Sequence, residues 1–284
     1  MTINISERLR PSGGKHAIKS VSFAVELDGP LNKDAFGEIS SFHPKLQEKL
    51  PRKIENSAFL INVDPSRGVQ TTTSTPEITG IVFDRLMPDG TQEWSLDVSS
   101  QHIVVRCAKY TRWKDMWSEA RKIFHVVLPT VLRFRSITAV GLQYLDEFKW
   151  LGNKSDFQAE FLFQKGSNYL APNVFELNDP WHNNHGFLRH CDNPCAHREL
   201  TNINIGVADQ ADFRVISIVT IHRALLSEPI VATNTLLGKD GSTGSLDALL
   251  ETMHQLNKSL LGDVLTKSMQ KTINLNAELS GLAS

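Results

Sequence analysis

TRWKDMWSEARKIFHVVLPTVLRFRSITAVGLQYLDEF, residues 111–148, changes its hydrophobic period part-way along. Trp113, Trp117, Ala120, Phe124, Val127, Leu128 and Val131 recur at three- and four-residue steps, the spacing that lines one face of an α-helix. Lys114, Glu119, Arg121 and Lys122 fall on the other faces. Thr111 is placed to cap this helix, and Pro129 should end or kink it near its last turn. From Ile137 to Phe148 the pattern shortens to that of a strand. The fold is therefore α+β, with a long helix feeding a strand.

Upstream, strand-like runs follow one another with short breaks. The first runs from His16 to Leu27, where Ile18, Val21, Phe23 and Val25 alternate before the breaker Asp28-Gly29-Pro30. Residues 31–50 read as a mobile helical or looped connection limited by Pro44 and Pro51. Strands are then expected at 57–63, 68–73, 77–87, 92–98 and 101–108, separated by turn chemistry such as Pro88-Asp89-Gly90. Such short connections favour antiparallel pairing.

Downstream the same grammar returns. Residues 157–163 read as strand or short helix, 200–207 alternate as a strand, and 213–222 form a strong one. A glycine-rich loop at 237–245 leads to a second amphipathic helix from Leu246 to about Leu265, with Ser245 as its cap. The tail from 270 to 284 has little to anchor it. The expectation is two loosely related halves, residues 1–150 and 151–284, each an antiparallel sheet followed by one long helix. One large sheet carrying both helices is the alternative.

Bulk properties exclude several classes. Thirty basic residues face 31 acidic ones, a net charge of -1, which removes the general electrostatic argument for nucleic acid. A local basic patch of Arg106, Lys109, Arg112 and Lys114 is the alternative for such a ligand. No window approaches a membrane span, and three cysteines make no disulfide framework, so a cytoplasmic setting is expected.

Chemistry concentrates in DPWHNNHGFLRHCDNPCAHREL, residues 179–200, which holds four of the ten histidines and two of the three cysteines. His182, His185, Cys191, Cys195 and His197 could supply zinc ligands, but the two-knuckle layout of a structural site is missing. The preferred reading is a polar surface loop with no cofactor, zinc being the alternative. Trp181, His182 and His185 then form a candidate contact surface. A cysteine nucleophile lacks a defined base. The loop at 238–245 does not match the phosphate-loop order, because its lysine precedes the glycines. Tyr110, Trp113 and Trp117 read as core rather than a base-stacking platform. His254 and Asn257, three apart on the second helix, share a face and either reach a partner or hydrogen-bond the helix to the sheet.

PSGGKHAIKSVSFAVEL, YTRWKDMWSEARKIFHVVLP, ITAVGLQYLDEF, VISIVTIH and LLETMHQLNKSLLGDVLTKSM, taken in order, resemble a family of sporadically distributed, largely uncharacterised bacterial proteins. Its members show a Tyr/Trp-led helix, a Gly-Leu-x-Tyr strand and a closing helix with His-x-x-Asn, here His254 to Asn257. One departure is the middle strand, where Gln143-Tyr144-Leu145-Asp146 replaces an Arg-Tyr-Asn pattern. The resemblance implies no defined activity, but it suits a mobile-element, toxin–antitoxin or phage-defence setting. The sequence thus points to a non-catalytic protein acting by macromolecular binding, through a protein partner or self-association. A metal-assisted hydrolase using residues 182–197 and a nucleic-acid-binding protein are the alternatives.

Overall fold

A computed structural model describes residues 5–58, 63–64, 68–69, 77–239 and 242–275. Its organising element is β7, Ile137–Trp150, a strand of 14 residues. Apolar side chains at Val140, Leu142, Phe148 and Trp150 are buried on one face, while Gln143 on the other is exposed. On one flank β7 pairs with β2, Ile18–Leu27, and on the other with β10, Arg214–Ile230. The first partner lies far upstream and the second far downstream.

Among the described residues, that double pairing makes one antiparallel sheet of ten strands. Beyond β2 come β6 (His102–Cys107), β5 (Gln92–Val98), β4 (Glu77–Leu86) and the edge strand β3 (Arg52–Ala58). Beyond β10 come β9 (His197–Asp209) and the opposite edge, β8 (Trp181–Cys191). A short β1, Leu9–Pro11, pairs with the end of β7. The expectation of two halves, each with its own sheet, is overturned. Hydrophobic period reports which residues face a core but not which strands pair, and β7 serves both parts of the chain.

Both long helices lie against the same face. Helix α2, Trp113–Phe134, buries Trp113, Met116, Ala120, Ile123, Phe124, Val127, Leu128 and Val131. Helix α3, Ser245–Val264, buries Leu246, Leu249, Leu250 and Met253 in its first half and Leu260, Leu261 and Val264 in its second. The first group joins α2 and strands β2 and β4–β7 in one apolar cluster. The second joins β8–β10 and the aromatic segment Phe157–Phe163 in another. Between the two groups α3 buries His254 and Asn257, so its polar middle sits over the seam between clusters.

Several local expectations change. Residues 31–50 contain helix α1, Lys33–Ser40, capped by the Asn32 side chain and anchored by buried Ala35, Phe36 and Ile39. Arg112, not Thr111, caps α2, and the helix continues past Pro129 to Phe134 because Leu128 and Val131 on either side remain in the core. Gly244 caps α3, its backbone N–H donating to the Asp247 carboxylate at 3.0 Å, with Ser245 as the first helical residue. Residues 159–161 form a short 3₁₀ turn. The strands expected at 57–63 and 68–73 and the loop at 237–245 fall partly outside the described residues, as does the end of the tail.

The largest correction concerns residues 179–200. They are no loop but β8, a turn and the start of β9, in continuous antiparallel register from Trp181↔Val207 to Cys191↔His197. An edge strand has one neighbour and one half-covered face, so it tolerates polar residues that mask its period.

The second face of the sheet carries no helix among the described residues. One transverse row there crosses nine strands in register: Leu188, Leu200, Arg223, Gly141, Ala24, Val104, Asp97, Val82 and Ile54. No described helix is long and apolar enough to cross a membrane.

Candidate functional site

Parity along the strands decides which of the suspected residues can meet. In β8 the odd-numbered Trp181, Asn183, His185, Phe187, Arg189 and Cys191 share the helix-covered face, while His182, Asn184, Leu188 and His190 share the open one. His182 and His185 therefore point to opposite sides and cannot hold one ion. Trp181 is buried beside Phe163, with ring centroids 5.8 Å apart. His185 is exposed and packs edge-on against Tyr169. The contact surface expected from Trp181, His182 and His185 is thus divided between two faces.

At the far end of the hairpin three donors converge. Cys191 lies directly opposite His197, and Glu199, two residues on, projects from the same face opposite Arg189. The ligand atoms of Cys191, His197 and Glu199 all lie within 4.8 Å of one another. His197 and Glu199 are buried and Cys191 is half-buried. Cys195 sits in the turn and packs against the first apolar cluster. Glu199 was not among the sequence candidates. A hairpin reading of Cys191 and His197 as facing residues would have found it.

From Glu199 a polar chain enters the seam. Its Oε1 accepts from the Arg189 guanidinium at 3.1 Å and from the Thr201 hydroxyl at 3.3 Å. Thr201 Oγ1 is also 3.3 Å from His222 Nδ1, and His222 Nε2 is 3.3 Å from the Asn257 amide oxygen. Burial pushes the His222 pKa down and favours the neutral ring; with Nε2 donating to the Asn257 oxygen, Nδ1 competes with Glu199 for the one Thr201 hydroxyl proton. Further along α3, His254 Nδ1 lies 2.8 Å from the Tyr144 hydroxyl. The His254 ring stacks on Trp113 at a centroid distance of 4.3 Å, and the Trp113 indole N–H donates to Glu251 at 2.6 Å.

Of the two readings of His254 and Asn257, the geometry shows hydrogen bonds from helix to sheet. Both side chains are buried, and each reaches a partner on a strand. Asp146 is also buried, its Oδ2 without a hydrogen-bond partner among the described residues, and desolvation raises its pKa to about 7. In the sheet it lies opposite Ile18 on β2 and Ile218 on β10.

The remaining candidates disperse. Burial raises the Cys107 thiol pKa to about 11, and desolvation also raises those of Cys191 and Cys195, so none is poised as a thiolate. Trp117 donates its indole N–H to Asp247 at 2.9 Å, and Tyr110 packs edge-on against His16 and Tyr144. Arg106 lies on the open face, while Lys109, Arg112 and Lys114 are exposed around the start of α2. A surface groove of about 520 Å³ beside α2 is lined by residues including Lys49, Lys122 and Glu119, and Glu119 pairs with both lysines. No protein-family model matches the chain, and no curated protein matches it.

Proposed function

We propose that the protein is a non-catalytic binding protein of the cytoplasm that docks another polypeptide, in the first instance a second copy of itself, on the open face of its sheet. The transverse row of nine strands carries this reading. It leaves Leu188 and Ile54 exposed and Leu200, Val104 and Val82 half-covered, with Val219, Ile221 and Leu145 in neighbouring rows. Strands about 4.8 Å apart make a face on the order of 35–40 Å wide. Several such rows reach the roughly 800 Å² per partner that a stable protein interface needs.

Charge on this face favours protein over nucleic acid. Arg223 pairs with Glu26, Arg52 with Asp84 and Lys19 with Glu147, so cations alternate with carboxylates and no single-sign stripe forms. A face of mixed sign can meet a second copy of itself across a two-fold axis without like-charge repulsion throughout. The mobile-element, toxin–antitoxin or phage-defence setting belongs to this proposal.

Sedimentation equilibrium tests it. The expected result is a dimer for the wild-type chain that reverts to monomer when Ile221 becomes Lys, with the circular dichroism spectrum unchanged. A monomeric wild type whose host partners are retained equally by Ile221→Lys would sink the reading.

A further inference from the structure

We infer that the β8–β9 hairpin holds a divalent transition-metal ion of the zinc class on Cys191, His197 and Glu199. Strand register alone places the three donors on one face: Cys191 is paired across from His197, and Glu199 follows two residues later. Their ligand atoms lie within 4.8 Å of one another. Tetrahedral zinc with bonds of about 2.0–2.3 Å separates its ligands by roughly 3.5 Å, so closure needs side-chain movements of about an ångström.

The second observation is the state of His197. Its Nδ1 lies 2.7 Å from the Cys195 carbonyl oxygen, which fixes the proton there as a donor. Nε2 is buried with no hydrogen-bond partner among the described residues, in a residue only 2 % exposed. An imidazole held by a backbone carbonyl on one nitrogen and offering a lone pair on the other is the arrangement metal-binding histidines adopt. Without an ion, that lone pair is desolvated for nothing.

Glu199 fits the same geometry. Arg189 donates to Oε1 at 3.1 Å, which orients the carboxylate. Cys191 is half-buried, so an ion can reach the three donors from solvent. Coordination would leave a thiolate on the metal, the thiol proton passing to solvent. Thiolate, imidazole and carboxylate together suit zinc better than magnesium or calcium, which take oxygen ligands. His182, on the opposite face, takes no part.

Titration of chelator-treated full-length protein with Zn²⁺ and with Co²⁺ tests the site. One ion per chain should bind saturably, and the cobalt form should show a thiolate-to-metal charge-transfer band. Cys191→Ser should abolish that band, and His197→Gln should weaken binding at least about tenfold, the scale set by lost coordination. His182→Ala should change neither. Because loss of buried His197 also perturbs the hairpin, the wild-type spectrum is an independent readout. No saturable step, a cobalt spectrum without the sulfur band, or unchanged binding by Cys191→Ser would overturn the assignment.

Discussion

Tyr144 on β7 and His254 on α3 meet across the seam of the core, hydroxyl to Nδ1 at 2.8 Å, although they are 110 residues apart in the chain. The contact pins the helix at the point where its apolar stripe is interrupted. Tyr144→Phe removes the hydroxyl while keeping the ring, leaving a desolvated imidazole nitrogen behind. The expected loss is about 1–3 kcal/mol. It should appear as a lower urea midpoint at unchanged slope, and a midpoint shift within error would refute the pairing.

Asp146 should make stability fall as pH rises. Its folded pKa, about 7, exceeds the ordinary 3.8, so the unfolded chain gives up the proton first. The contribution is complete below pH 3.8 and is lost as pH climbs through about 7, a swing of roughly 4 kcal/mol. Asp146→Asn lacks this loss, so the stability difference between mutant and wild type should widen across that interval. Parallel pH profiles would show that the carboxyl is solvated.

His222 acts in the opposite sense. With its pKa lowered by burial, the stability it confers is full above the ordinary value of 6.5 and declines as pH falls below it. His222→Gln should flatten the acid limb of the wild-type profile. The same variant titrated by denaturant at several pH values checks the claim, and an acid limb as steep as before would discount it.

Asp247 ties three groups together at the start of α3. One oxygen accepts from Trp117 at 2.9 Å and pairs with Arg121 at 2.9 Å, while the other accepts the Gly244 N–H at 3.0 Å. Asp247→Ala should cost about 2–3 kcal/mol, a helix cap plus a half-buried hydrogen bond. Thermal melts would read this directly. Asp247→Asn should recover part of it by keeping an acceptor for the cap.

On the open face, Val219→Asp should leave the melting temperature nearly unchanged while abolishing self-association. Val219 pairs opposite Leu145 and Asn204 in the middle of that surface, with no helix above it. Retained dimer at the wild-type dissociation constant would relocate the interface.

How much of this was legible depended on how many neighbours each residue has. The stripe from Trp113 to Val131 and the alternation in β2, β7 and β10 face a core, and composition alone betrays them. The edge strands escaped. RKIENS at 52–57 and WHNNHGFLRHC at 181–191 are largely exposed, so polar residues fill positions that would be apolar in a central strand. His254 and Asn257 stood out through their spacing on one helix. Their partners Tyr144 and His222 did not, because no local pattern links residues 110 and 35 positions apart.

The pairing of β7 with strands from both directions has a consequence for synthesis. A nascent chain that has emerged only as far as Trp150 presents β7 as a 14-residue border with backbone groups and apolar side chains awaiting β10. Closure must wait for residues up to Ile230, and slow long-range pairing of this kind leaves the intermediate open to association with other chains. Translation tempo across residues 151–230, or chaperone capture of ribosome-bound chains in that interval, should therefore govern the yield of native protein.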